Sequence, residues 1–404
     1  MKNSVCCLSL ILFLSLLLLS ESLNAADTVK IGIVDTYTGP ASEYTLEVLN
    51  GFKAAVEKFN AKGGVLGKKI EFITRDDQFK VDVGLALAKD LVFKEKVDVL
   101  MGTLNSDISL AISDLAKTEK TPFFVTLAKS TKIVGEKGHR YVFSITENAE
   151  MAGRAAAVAL AKRPFVNYWI AGDDYEYGHS IADATWNNLK RLNPKVQLLG
   201  QSWWKSGETD FTPYIPQIMA AKPDFMIVAT GGATITNFQK AAKATGLSQK
   251  IPFYQHTGTE HSTLEVLGAS APEGVYGTNP YFFYYPETPE NKAFVEEYRR
   301  IYGKYPRVGA FYGYMTGQFI AEGFKKTGKI DRERFIRTVE GMTLNSPVGP
   351  LTLRACDHQL ELPMYFGLTK KSPEYDFLIA GDIQAIPARV YLPSCAEVMQ
   401  LRKK

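Results

Sequence analysis

From Val29 onward, short β-branched runs alternate with stretches whose apolar residues recur at helical spacing, and this alternation leaves few folds open. Val29–Asp35 (VKIGIVD) reads as a buried parallel strand. Leu46, Leu49, Phe52, Val56 and Phe59 then mark a helix over 46–61, and Gly63 suits its C-terminal end. Strands are predicted over 69–74, 97–101 and 122–126, and helices over 81–94 and 108–117. The rhythm then restarts, with helices over 149–161, 181–192, 211–221 and 234–245 and strands over 166–171, 196–203, 225–229 and 252–255. Repeated units of this kind predict two doubly wound α/β halves, each a parallel sheet with helices on both faces, and 404 residues suffice for both. After Glu287 the order changes to three helical stretches (291–302, 310–326, 332–340), followed by strand-like text at 348–353, 364–369 and 377–379. That change suggests late segments returning to complete the first half.

The N-terminus carries an export signature. Lys2 precedes a leucine-dominated run from Val5 to Leu19, followed by Glu21, Ser22 and the small pair Ala25-Ala26. This is the layout of a secretory signal cut after Ala25. A membrane anchor is the alternative, although the run is short for crossing about 30 Å of hydrocarbon. A lipidated cysteine would follow the apolar run, whereas Cys6 and Cys7 precede most of it. The expected location is therefore the periplasm, without a lipid anchor. Loss of residues 1–25 leaves Cys356 and Cys395. In an exported chain they read as a disulfide stapling the tail, or else as two buried thiols.

Charge and motif content narrow the function. The net charge is +4 with Lys and Arg interleaved among Asp and Glu, so no basic arm for nucleic acid is present. Gly63–Lys68 (GGVLGK) looks like part of a phosphate loop, but helix, glycines, strand is the reverse of the order that presents helix-start amides to phosphate. His139, His179, His256, His261 and His358 do not pair at zinc-site spacing, and there is no C-x-x-C. No G-x-S-x-G elbow occurs. Asp76-Asp77 and Asp173-Asp174 follow strands, where adjacent side chains point apart, and read as turn and cap residues. The chain is expected to be no enzyme and to need no cofactor or metal.

In parallel α/β domains ligands bind beyond the C-terminal strand ends. The sequences there are TYTGPASEY (36–44), GTLNSD (102–107), LAKST (127–131), GDDYEYG (172–178), TGG (230–232) and HTGT (256–259). Amides and hydroxyls at helix starts can hold a carboxylate without a cation. Ser106 and Ser130 are the main candidates for that role, with simple helix capping by Asn105 or Ser106 as the alternative. Tyr44 and Tyr177 are candidates for stacking on a ligand, or are ordinary core or surface tyrosines.

At these loops the text resembles the periplasmic leucine/isoleucine/valine-binding proteins and their amino-acid, amide and aromatic-acid relatives. The words that carry it are VKIGIVDTYTGPASEY, NGFKAAVEKFNAKGGVLGKKIEF with the following RDDQ, VDVLMGTLNSDIS, GDDYEYGHS, ETDFTPYIPQIMAAKPD, KAAKATGL and the late VGPLTL. The resemblance covers nearly the whole mature chain. It implies an α/β fold of two Rossmann-like lobes joined by three crossover segments, with the ligand in the interlobe cleft. The expected lobes are 26–146 plus 280–353 and 147–279 plus 354–404.

The resemblance also implies roles. Ser106, Ala128 and Ser130 would hold a ligand carboxylate from the first lobe, with Tyr44 beside the ligand and Tyr177 contacting it from the second. Where the branched-chain proteins hold the ammonium, with a tyrosine and a glutamate, this chain has Gly231 and Thr257, neither acidic. Burying an ammonium without a partner is costly, and Gly231 would leave extra room, so an aromatic or aliphatic acid is the favoured ligand. Glu260 or Asp174 would have to supply the missing acid for an amino acid or amide to bind. The implied partners are the small molecule and the permease subunits of an ABC transporter in the inner membrane; ligand sensing for a membrane receptor is the alternative.

Overall fold

The computed structural model describes residues 28–39 and 42–403; the expected signal segment, 1–25, lies outside the described residues. The first half forms β1 (Val29–Asp35), α1 (Ser42–Asn60), β2 (Ile70–Asp76), α2 (Val81–Phe93), β3 (Val99–Gly102), α3 (Ser106–Thr118), β4 (Phe123–Val125) and β5 (Val142–Ser144). Its five strands are all parallel, in the order β2-β1-β3-β4-β5. The apolar runs VKIGIVD and VLMG are buried on both faces, as central parallel strands must be.

The second half forms α4 (Ala149–Leu160), β6 (Asn167–Asp173), α5 (Glu176–Leu192), β7 (Gln197–Trp204), α6 (Ile215–Ala221), β8 (Phe225–Ala229), α7 (Ala233–Ala244), α8 (Leu247–Lys250), β9 (Phe253–Gln255), α9 (His261–Leu267) and β10 (Tyr276–Asn279). The chain then returns to the first half as α10 (Pro289–Tyr302), α11 (Val308–Thr327), α12 (Arg332–Val339) and the hairpin β11 (Thr343–Ser346)–β12 (Gly349–Thr352). It crosses once more to β13 (Met364–Lys370), β14 (Ile379–Ile386), α13 (Ala388–Tyr391) and α14 (Cys395–Leu401). The result is two lobes connected by three crossovers, after β5, β10 and β12.

The second sheet runs β14-β13-β10-β9-β8-β6-β7. The repeated units pair parallel as expected, whereas the late strand β13, whose direction the sequence leaves open, pairs antiparallel with both β10 and β14. A strand entering from a crossover, and leaving by a loop of a few residues, has no helix with which to return parallel.

Phe294, Phe311 and Phe335 of α10–α12 share one core with Ile31, Phe52 and Phe143, so the late helices complete the first lobe. Each such fully buried phenylalanine contributes about 2–3 kcal/mol by leaving water. The α1–α11 crossing is very close. A Cβ on Gly51 would sit 1.8 Å from the Ala310 carbonyl oxygen, and one on Gly313 1.8 Å from that of Val48. Only glycine permits this approach. Cys356 and Cys395 form a disulfide that ties the start of α14 to the third crossover.

Candidate functional site

The wall of the first lobe is assembled by hydrogen bonds between strand-end loops. At the end of β1, Asp35 Oδ1 accepts from the amides of Thr36 (3.0 Å) and Leu104 (2.9 Å), joining the loops after β1 and β3. Burial, with Asp77 adding to it, pushes this carboxyl up to about 8. Asp76 and Asp77 serve as turn residues: Asp76 accepts from the Tyr37 and Gln78 amides, Asp77 from the Phe79 amide and the Thr36 hydroxyl.

Helix α3 is capped by Asn105, whose side chain accepts from the amides of Asp107 and Ile108. Ser106 is thereby free of the capping role, and its Oγ accepts from the Ser130 amide at 3.2 Å. The Ala128 amide donates to the Thr103 carbonyl at 2.9 Å. Ser106, Ala128 and Ser130 are thus brought together on one surface. Tyr44 lies one turn into α1, partly exposed, its hydroxyl pushed up to about 12 by burial and next by the carboxylate of Glu260.

The opposing wall comes from the second lobe. Asp173, at the end of β6, accepts from the Trp204 indole and from the Gly231 amide, both at 2.9 Å. This places Gly231 against Tyr175 and Tyr177. A Cβ at Gly231 would lie 2.4 Å from the Tyr175 hydroxyl and 3.3 Å from the Tyr177 ring. The extra room expected from this glycine is therefore already filled by Tyr175. Thr257 follows β9 in a left-handed conformation (φ 61°). Its hydroxyl donates to the His256 carbonyl, and the turn it makes delivers Glu260 to the start of α9.

Glu260 is 5% exposed. Burial pushes its carboxyl up to about 7, against the pull of the Ser262 hydroxyl, Lys129 and Arg307. Its charge is felt by Tyr44 of one lobe and, more weakly, by Tyr177 of the other, so it lies near both walls. Asp174, the other acid considered, is mostly exposed and bonded to His179 at 2.8 Å.

The floor of the cleft is charged and buried. Lys129 Nζ donates to Glu147 Oε1 and Thr146 Oγ1, each at 2.6 Å, and lies 5.1 Å over the Tyr312 ring. The Tyr312 hydroxyl donates to the other Glu147 oxygen, and His256 Nε2 lies 3.6 Å from Glu147. Burial alone would raise Glu147, but Lys129 and then His256 hold it well below the usual carboxylate range. Glu147 sits on the first crossover, so this network joins both lobes at the hinge.

A model of the periplasmic binding protein family matches residues 28–372. The chain belongs to the periplasmic binding protein family. Among curated relatives, a leucine-, isoleucine-, valine-, threonine- and alanine-binding protein of Pseudomonas aeruginosa is 25% identical over 329 residues, covering 81% of this chain and 86% of the relative. Among solved structures, a solute-binding protein of an ABC transporter from Rhodopseudomonas palustris, in complex with 3,4-dihydroxybenzoic acid, superposes with a TM-score of 0.79 at 24% identity, covering 89% of this chain and 98% of that one. An ABC-type branched-chain amino acid transporter protein from the same species gives 0.76 at 25% identity, covering 90% and 98%.

In this periplasmic binding protein a cavity of about 420 Å³ also lies against α14, lined by Thr131, Met151, Arg154, Arg354, Glu397 and Leu401 among others. Its arginines are already paired, Arg154 with Glu150 and Glu397, Arg354 with Asp357. It therefore offers a ligand no unmatched charge, and the strand-end cleft remains the candidate site. Sequence reasoning missed Glu147, Tyr312 and Arg307. Their partners lie far along the chain, and no motif or spacing marks them.

Proposed function

We propose that this chain is the extracytoplasmic solute-binding component of an ABC transporter. Its lobes, taken as 26–146 plus 280–353 and 147–279 plus 354–404, close by a hinge on a small carboxylate-bearing ligand, and the closed form is presented to permease subunits. The periplasm is its site of action. The observation that carries the ligand assignment is the meeting of Ser106 and Ser130 at 3.2 Å beside Ala128: each hydroxyl accepts from a backbone amide, of Ser130 and of Lys132 respectively, and keeps its own proton to donate to a carboxylate. Tyr44, Tyr177, Gly231 and Thr257 form the remaining contacts. Neither Gly231 nor Thr257 bears a charge, and the tyrosines offer apolar faces, so an aromatic or aliphatic acid is favoured. The dihydroxybenzoate in one structural neighbour fits this reading.

Glu260 supports a second reading. A carboxyl only 5% exposed near both walls is a partner for an ammonium or amide donor, and relatives named for branched-chain amino acids fit it. Thermal unfolding of the mature chain against benzoates and short-chain acids, and separately against amino acids, separates the two. A ligand at a hundred times its dissociation constant adds about 2.7 kcal/mol. Stabilisation by the acids alone supports the first reading; stabilisation by leucine-like ligands replaces it with the second; no response to either panel removes both.

A further inference from the structure

Beside the cleft, the segment Tyr305–Arg307 of the first lobe touches the second lobe in two chemically independent ways. Arg307 caps α11 in sequence and is 8% exposed. Its guanidinium lies 2.6 Å from Glu43 and 2.8 Å from Glu47, both on α1 of its own lobe. Its other nitrogen donates to Glu265, which stands on α9 of the second lobe. Two residues earlier, Tyr305 stacks on Phe283 of the second crossover at 4.0 Å. The loop between β13 and β14 reaches over from the second lobe and packs Tyr375 5.9 Å from Tyr305 and 5.3 Å from Phe283. Phe377 of the same loop lies against His261, 4.8 Å between ring centres.

We propose that Arg307 and Glu265, seated beside this aromatic stack, are a closure latch that sets how long the two lobes stay together. The logic lies in how the partners are divided. Glu43 and Glu47 move with Arg307 and neutralise it whether the lobes are apart or together, so opening strands no buried charge. Glu265 alone travels with the other lobe, and its contact exists only on closing. A charge-assisted contact of this kind favours closure without touching a ligand. Because Tyr44 lies between Glu43 and Glu47 on α1, a side chain beside the ligand and the latch share one helix.

This inference rests on the two-lobe hinge reading but on no particular ligand, and its test uses none. Spin labels at Lys89→Cys and Lys240→Cys, exposed positions one on each lobe, report the interlobe distance distribution of the mature, ligand-free chain. Glu265→Gln is expected to lower the ratio of short to long distances about three- to tenfold. Glu43→Gln removes a partner of the same arginine from within its own lobe and is expected to leave that ratio unchanged. A Glu265→Gln distribution identical to that of the parent chain overturns the proposal, as does an equal shift with Glu43→Gln. Neither outcome bears on which ligand the cleft takes.

Discussion

Lys129 ends 2.6 Å from Glu147, a residue 2% exposed on the first crossover, and this pair closes the floor of the cleft beneath the proposed ligand. The Tyr312 hydroxyl and His256 complete the surroundings of the carboxylate. A charge so placed is tolerated only because all its neighbours are matched to it.

Glu147→Gln should therefore cost more than a surface substitution. Removing one partner leaves the Lys129 ammonium without its counter-charge, and a loss of about 2–4 kcal/mol in urea denaturation is expected, since Lys129 retains some water. A loss below about 0.5 kcal/mol, the range of ordinary surface changes, would show that the pair is not held as described.

Ser106→Ala with Ser130→Ala should act on binding and not on folding. Asn105 keeps the cap of α3, so unfolding without ligand should change by less than about 1 kcal/mol. The dissociation constant of whichever acid stabilises the chain should rise about 10- to 100-fold, as expected for lost hydrogen bonds to a charged group. Unchanged affinity by calorimetry would remove these serines from the site.

Gly231→Ala probes the opposite wall. The new methyl meets the Tyr175 hydroxyl, but Tyr175 is 40% exposed and can swing outward. Stability should stay within about 1 kcal/mol of the parent, while ligand affinity falls about tenfold through the displaced ring. Tyr175→Phe combined with Gly231→Ala should recover part of that loss; binding indifferent to both changes would mean that this wall does not face the ligand.

Stability should fall as pH rises through the neutral range. Burial holds the Asp35 carboxyl of the folded chain up to about 8 instead of its ordinary 3.8. Between those limits the folded state binds a proton that the unfolded state has released, so the contribution is complete below the lower value and lost as pH approaches 8. A decline on the order of 1–3 kcal/mol is expected between about pH 5 and pH 8, flattened in an Asp35→Asn variant. A parent chain of constant stability across that range would refute the assignment.

The staple between Cys356 and Cys395 holds the tail to the third crossover. With its ends 39 positions apart, the disulfide should contribute about 2–4 kcal/mol, read as the difference between oxidised and reduced chains in guanidinium. A difference near zero would mean that the tail packs as firmly by itself.

The regular part of the fold was legible because its signals are local. VKIGIVD and FMIVA announce buried strands, and the helical spacing from Leu46 to Phe59 announces α1. The strands VFS and YGTN and helix α9 were missed. Each is a short segment whose conformation is decided by the strand or loop beside it. The antiparallel edge was not legible for the same reason, since strand direction depends on where a crossover lands. In the site, Ser106 could be singled out from its loop, yet its freedom from capping depends on Asn105 taking that role. Asp173 read as a turn residue and in fact holds Gly231 in place across 58 positions. Arg307 and Glu43 are 264 residues apart, and no window of sequence contains both.

The glycine crossing of α1 and α11 has a consequence for how such a cleft can diversify. With Gly51 and Gly313 seated against opposing carbonyls, the two helices behave as one girder. Tyr44, Glu43 and Glu47 project from one of its members, and Arg307 and Tyr312 from the start of the other. Tyr44, Arg307 and Tyr312 are thus carried by a single stiff part, while Ser106, Ala128, Lys129 and Ser130 of the same lobe stand on the segments after β3 and β4. The second lobe's share of ligand contact comes on separate loops after β6, β8 and β9. Chemical taste can drift there, one loop at a time, while the part that does the closing stays the same.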